Sequence, residues 1–108
     1  MFVLETSDII KRQAQGSDAM DGKWYAYVLL CENGALYRGY TNDLEKRFRL
    51  HKSGKGAKYT RMHKPVEIVY FEEFEEKIDA IKRERYFKST EGKAWLKVKL
   101  KVVMAEEQ

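Results

Sequence analysis

The chain has 108 residues, which suits one domain built on one modest core. Its composition, 44% hydrophobic and 35% charged, is ordinary for a soluble globular domain, and no apolar run nears the ~20 residues that span a bilayer. A net charge of +4 and a pI near 9.1 favour a polyanionic partner, and the one cysteine excludes an internal disulfide or a cysteine-rich zinc site.

Residues 1–22 read as a flexible tail: "QGSDAMDGK" is polar and weakly patterned, and "MFVLETSDIIKRQ" is too short and too acidic for a signal peptide. With one unpaired cysteine, a cytoplasmic setting is expected. Met20 is a candidate start, because "MDGKWYAYVLL" runs straight into the first strand. "WYAYVLLC" (24–31) is aromatic, β-branched and almost continuously apolar, so it reads as a buried strand with Cys31 as a small core residue. "ENG" (32–34) signals a hairpin, and "ALYRGYT" (35–41) is the returning strand.

Asn42, followed three residues later by Glu45, resembles a capping box that opens a helix running to about Ser53. "GKGAKYTR" (54–61) reads as a mobile basic glycine loop. Pro65 precedes a third strand, "VEIVYFEEF". "EEKIDAIKRERYFKS" (75–89) is the longest helical pattern, acidic at its start and basic at its end, as the helix dipole prefers. "TEGKAWLKVKLKVV" (90–103) also alternates like a strand near its end; it is read as a helix capped by Thr90. Residues 104–108 are left as a second tail, so the expected domain is 23–103. The order β-β-α-β-α-α predicts an α+β fold, an α/β sandwich with a small, mostly antiparallel three-stranded sheet flanked by helices.

Charge is unevenly placed. Nine basic residues (38, 46, 47, 49, 52, 55, 58, 61 and 64) lie between Arg38 and Lys64, against Asp43 and Glu45; acids gather at Glu72, Glu73, Glu75 and Glu76. The middle of the chain is therefore the expected basic face. On the first helix Leu44, Phe48 and His51 recur at i, i+4 and i+7, and Arg47 shares that face. Either Arg47 snorkels at the rim with His51 half exposed, or both point inward for a purpose. On the second long helix Ile78, Ala80, Ile81 and Phe87 define an apolar arc with Glu84 in its middle. A carboxylate aimed at a core costs several kcal/mol unless it is paired or metal-bound; an internal arginine or a metal would each answer that. Lys77 and Lys88 share the arc but sit near the helix ends, where long stems can escape to water. Tyr25, Tyr27, Tyr37 and Tyr40 stud the first two strands. "GKGAKYTR" lacks the spacing of a P-loop and reads as a backbone-phosphate clamp, with Lys55, Lys58 and Arg61 as its cations.

Taken in order, these residues resemble the GIY-YIG nuclease superfamily in its small stand-alone bacterial branch. "YAY" (Tyr25–Tyr27) stands at the first motif and "YRG" (Tyr37–Gly39) at the second. Arg47 and His51 match the helix positions that follow, Glu84 matches the metal-binding glutamate, and "GKGAKYTR" is similar to a loop of that branch. The resemblance covers about residues 24–100. It implies a metal-dependent endonuclease acting on nucleic acid, DNA rather than RNA, in repair or recombination. Glu84 would hold Mg²⁺ or Mn²⁺ and Arg47 would stabilise the transferring phosphate. Tyr27 or Tyr37 would deprotonate water, with His51 as a relay; Gly39 would be structural, and Arg38 would join Lys55, Lys58 and Arg61 on the nucleic acid. A binding module of the same fold with little or no cleavage is the alternative. No membrane partner is expected, and a monomer is the default. Four positions depart from the family pattern: "YAY" lacks the motif's glycine and isoleucine, Arg38 replaces the second isoleucine, and Tyr40 stands where several members carry lysine; the last segment also has no asparagine, where many members carry one.

Paired tyrosines constrain the hairpin. A two-residue Asn33-Gly34 turn would put Tyr27 and Tyr37 on opposite faces. A three-residue Glu32-Asn33-Gly34 loop pairs 29 with 37 and sets Gly39 opposite Tyr27, with Gly34 in the left-handed position of a bulge. The three-residue loop is expected, with both hydroxyls toward Arg47 and Glu84.

Overall fold

A computed structural model describes residues 22–106. Of the tail expected over 1–22, residues 1–21, Met20 among them, lie outside the described residues, as do 107 and 108. The chain folds as β1 (Trp24–Cys31), β2 (Leu36–Thr41), α1 (Leu44–Lys52), α2 (Lys58–Met62), β3 (Pro65–Phe74), α3 (Lys77–Lys88) and α4 (Thr90–Glu106). This is the expected α+β order, with one addition: the second half of the basic loop coils into the five-residue α2. The last helix continues through Glu106, past the boundary drawn at 103. Among the described residues no helix is long and apolar enough to cross a membrane.

The three strands form one antiparallel sheet in the order β2-β1-β3. β1 is central and covered on both faces, which is why its sequence is almost continuously apolar instead of alternating. Tyr25, Tyr27 and Leu29 pack on one face with Leu44 and Phe48 of α1 and Ile68 of β3. Ala26 and Val28 pack on the other with Tyr70, Phe87 of α3, and Leu96 and Leu100 of α4. Fully burying side chains such as Phe87 and Leu96 contributes about 1.5–3 kcal/mol each. Cys31 is buried, as expected of a small core residue. A bulge between Val28 and Leu29 skips Val69 in the pairing with β3, so Val69 and Tyr70 both join the second core.

The hairpin has the three-residue loop. Cys31 N–H donates to the Ala35 carbonyl at 2.9 Å, and Gly34 N–H returns to Cys31 O at 2.9 Å. Gly34 has φ +85°, the left-handed region that suits glycine. Leu29 then faces Tyr37, and Tyr27 faces Gly39. A Cβ added at Gly39 would lie 2.4 Å from the Tyr27 hydroxyl oxygen, so the ring fills the space a side chain would take.

Three local expectations need correction. The first helix is capped by Asp43, one residue after Asn42: Asp43 has extended dihedrals, and its carboxylate accepts the Lys46 N–H at 3.0 Å. Ser89, not Thr90, caps the last helix, accepting Gly92 N–H at 3.0 Å. Ile78 is 55% exposed; the buried face of α3 runs through Ala80, Glu84 and Phe87. Glu84 is inward as expected. The internal arginine is taken elsewhere: Arg83 binds Glu72 through Nε and Nη2 at 2.8 and 3.2 Å and lies against the rings of Tyr86, Phe87 and Trp95.

Two glycine substitutions separate register from strain. Gly39→Ala overpacks the Tyr27 ring and should cost about 1–3 kcal/mol. Gly34→Ala meets open space and should cost about 1 kcal/mol from the positive φ alone. Urea unfolding of both variants checks the ranking; a Gly39→Ala chain as stable as the parent would contradict the Tyr27–Gly39 contact.

Candidate active site

Strand alternation and hairpin register bring Tyr27, Tyr37 and Gly39 to one face, beside α1. The helical repeat of α1 then aims Arg47 and His51 at that face, with Leu44 and Phe48 holding the helix down. α3 packs on β1 and β2 from the other side, and its Glu84 reaches the same place at the β2 edge. The result is an open pocket of about 370 Å³, lined by Tyr27, Tyr37, Gly39, Arg47 and Glu84 together with Trp24, Tyr40, Thr41 and Asn42. Five of the sequence-predicted residues are thus brought together.

His51 does not line the pocket. It is fully buried behind Tyr27. Its Nε2 lies 2.8 Å from the Tyr27 hydroxyl, and its Nδ1 lies 2.7 Å from Thr60 Oγ1. Thr60 donates its own proton to the Ala57 carbonyl at 3.1 Å, so it accepts from His51 Nδ1–H. That assigns the tautomer: Nε2 carries the lone pair, and the Tyr27 O–H donates to it. Burial, then the nearby Arg47 charge, lowers the His51 pKa to about 4, so the ring is neutral at pH 7. Burial pushes the Tyr27 phenol well above its usual range, and the Arg47 guanidinium beside it offsets part of that rise. The Tyr37 ring stands edge-on to His51, with centroids 5.0 Å apart.

The sequence treated 54–61 as a mobile loop, but the structure ties it down. Thr60 is buried against His51, and a Cβ at Gly56 would lie 2.4 Å from His51 Nδ1, so only glycine allows the loop to come this close. Neither Thr60 nor Gly56 could be singled out from sequence, because their partner lies on another element. Lys55, Lys58 and Arg61 are exposed and stand outside the pocket. Arg38 points to the opposite face from Tyr37 and lines a neighbouring hollow.

The charges in the pocket are incompletely matched. Arg47 Nε is buried with no hydrogen-bond partner, and Arg47 joins no ion pair among the described residues. Glu84, 9% exposed, pairs with Lys88 of its own helix at 2.7 Å. Lys88 stays exposed near the helix end, as expected, while its ammonium pairs with Glu84. No cluster of three or more His, Cys, Asp or Glu that could hold a metal occurs among the described residues. A single carboxylate in an open pocket fits a hard, mostly hydrated cation and does not fit a protein-enclosed one.

A family model described as the GIY-YIG catalytic domain matches residues 23–98. A UPF0213 protein of Bacillus pumilus is 57% identical over 65 residues, 60% of this chain and 66% of that one. One from Staphylococcus saprophyticus is 45% identical over 76 residues, 70% of this chain and 93% of that one. The chain thus spans just under two thirds of the first relative and most of the second. The solution NMR structure of a UPF0213 protein from Bacillus halodurans is 41% identical, covering 68% of this chain and 81% of its own, with a TM-score of 0.43.

The buried neutral His51 has a consequence for stability. Its folded pKa of about 4 lies below the unfolded value near ~6.5, so the unfolded chain binds the proton more readily. Its contribution is full above pH ~6.5 and is lost as pH falls toward 4, by at most about 1.4 kcal/mol per unit. Urea unfolding of parent and His51→Gln across this window should show their difference shrinking as pH falls. A constant difference would mean that His51 does not titrate as a buried neutral ring.

Proposed function

Because this chain belongs to the GIY-YIG catalytic domain family, a nuclease family whose substrates are nucleic acids and whose members typically use divalent metals, we propose that it is a metal-dependent endonuclease that hydrolyses phosphodiester bonds in DNA. The observation that carries the proposal is the pocket's Arg47, set beside Tyr27 and Glu84, whose buried Nε has no hydrogen-bond partner. A buried donor without a partner costs about 1–3 kcal/mol, and a phosphate oxygen is the acceptor it lacks.

In this reading Arg47 binds a non-bridging oxygen of the scissile phosphate and stabilises the charge that builds there. A water held against Tyr37 attacks phosphorus. As its oxygen bonds to phosphorus it gives a proton to the Tyr27 oxygen, while Tyr27 passes its own proton to His51 Nε2. Tyr27 never has to become a free phenolate, which burial would oppose. The bond to the leaving oxygen breaks, and that oxygen takes a proton from solvent. Glu84 would hold a hydrated Mg²⁺ or Mn²⁺, which when bound neutralises charge on the leaving side. Thr60 accepts the Nδ1–H of His51 before and after that transfer, so Nε2 is the nitrogen that takes and returns the proton. Lys55, Lys58 and Arg61, exposed on one loop and helix, would contact backbone phosphates away from the reacting one.

Cleavage of a plasmid and of branched oligonucleotides, with Mg²⁺ or EDTA, tests this reading. Glu84→Gln and Arg47→Ala should each lower the rate at least about 10²-fold, with Glu84→Gln binding DNA as the parent does. Tyr27→Phe should cost about 10²–10⁴-fold, and more than Tyr37→Phe, because only Tyr27 is bonded to His51. Binding without cleavage in the parent under every metal tested would favour the binding-module alternative.

A further inference from the structure

A second hollow, about 510 Å³, opens on the far side of Tyr37. Its walls include Leu36, Tyr37, Arg38, Tyr59, Lys88 and Lys93. Three cations thus converge from β2, α3 and α4, and no carboxylate lines the space. Arg38 is half-buried, with Nε lacking any partner; Nη1 donates to the Leu36 carbonyl at 3.2 Å. Neither Arg38 nor Lys93 joins an ion pair among the described residues. Lys88 lines this hollow while its ammonium pairs with Glu84 of the pocket next door. Tyr37 is the shared wall.

Arg38, with its buried Nε unmet, and Lys93, with no acid beside it, suit an anion in this hollow. The Tyr37 and Tyr59 rings add flat apolar faces of the kind on which nucleotide units rest. Continuity through Tyr37 gives direction: a strand leaving the catalytic pocket enters here next. We infer that this hollow is a phosphate-binding subsite for the nucleic-acid strand flanking the cleavage point. Arg38 and Lys93 hold a backbone phosphate, Lys88 stands at the passage between the two sites, and Tyr59 lies along the adjoining sugar or base. The spacing of Arg38, Tyr59 and Lys93 in the sequence gives no hint of this meeting. The strand's direction rests on the nuclease reading above; the fit to an anion does not.

The test is anisotropy titration of a fluorescein-labelled 12-nucleotide strand into the full chain, in EDTA, across a series of KCl concentrations. Lys93→Ala should weaken binding about 5–10-fold and reduce the log–log salt slope by about 0.7. Arg38→Gln should act in the same direction, with its fold checked by urea unfolding. Lys82→Ala, an exposed charge on α3 outside both hollows, should change affinity by less than about twofold. Lys93→Ala matching Lys82→Ala in affinity and slope would overturn the inference. Inorganic phosphate that displaced the strand fully at matched ionic strength would overturn the assignment to a strand. Cleavage is not read here. A chain that binds through Lys93 but cuts nothing defeats the nuclease reading alone, and one that cuts while Lys93→Ala binds as the parent does defeats this inference alone.

Discussion

The Tyr27 ring occupies the space above Gly39 that any larger residue would fill, and much of the molecule follows from that cross-strand contact. It requires the register that pairs 27 with 39 and 29 with 37. That register places two tyrosines on one face of the sheet and leaves the other face free for α3 and α4 to cover with Phe87 and Leu96. It also carries the Tyr27 hydroxyl to His51, which Thr60 and the close approach of Gly56 hold from behind. A slip of β2 by one residue would turn Tyr37 into the second core and set a side chain where Gly39 makes room for the Tyr27 ring.

The chain contains its own control for the meaning of an unpaired arginine. Arg83 has its Nε met: a two-pronged carboxylate from Glu72, itself bonded by the Tyr70 hydroxyl at 2.6 Å, takes Nε and Nη2, and three aromatic rings lie against the guanidinium. Such a pairing holds structure together. Arg47 and Arg38 are the opposite case, each with a buried Nε that no acceptor meets. Both border open hollows, and the two hollows share Tyr37. Unmet donors that gather beside open space are groups held ready for an anion.

Much of the fold was legible because its signals are local. Strands 24–31 and 65–74 announce themselves by apolar and β-branched runs, and the hairpin register could be argued from the need for Tyr27 and Tyr37 to share a face. Glu84 stood out as a carboxylate at the centre of an apolar arc. The misses have a common form. Ile78 was placed in that arc because it is apolar, yet it lies about 120–180° from Ala80, Glu84 and Phe87, the residues that are buried. Asn42 and Asp43 are chemically near-equal caps, and only the backbone turn decides between them. Thr60 and Gly56 act through His51, a partner on another element that no spacing rule connects to them.

His51 sets a limit on the proposed chemistry that the pocket residues alone would not reveal. Fully buried, it has no path to solvent except through Tyr27 on one side and the Thr60 hydroxyl on the other. If it takes the Tyr27 proton it becomes a cation in a site where burial and the Arg47 charge both oppose that form. The cation is tolerable only while an anionic phosphate lies against Arg47 and offsets the repulsion. Once the product leaves, the same two forces drive the proton back to Tyr27 and out through the pocket. In the proposed reaction the relay would therefore carry one proton per turnover and reset itself, its direction set by whether the phosphate is bound.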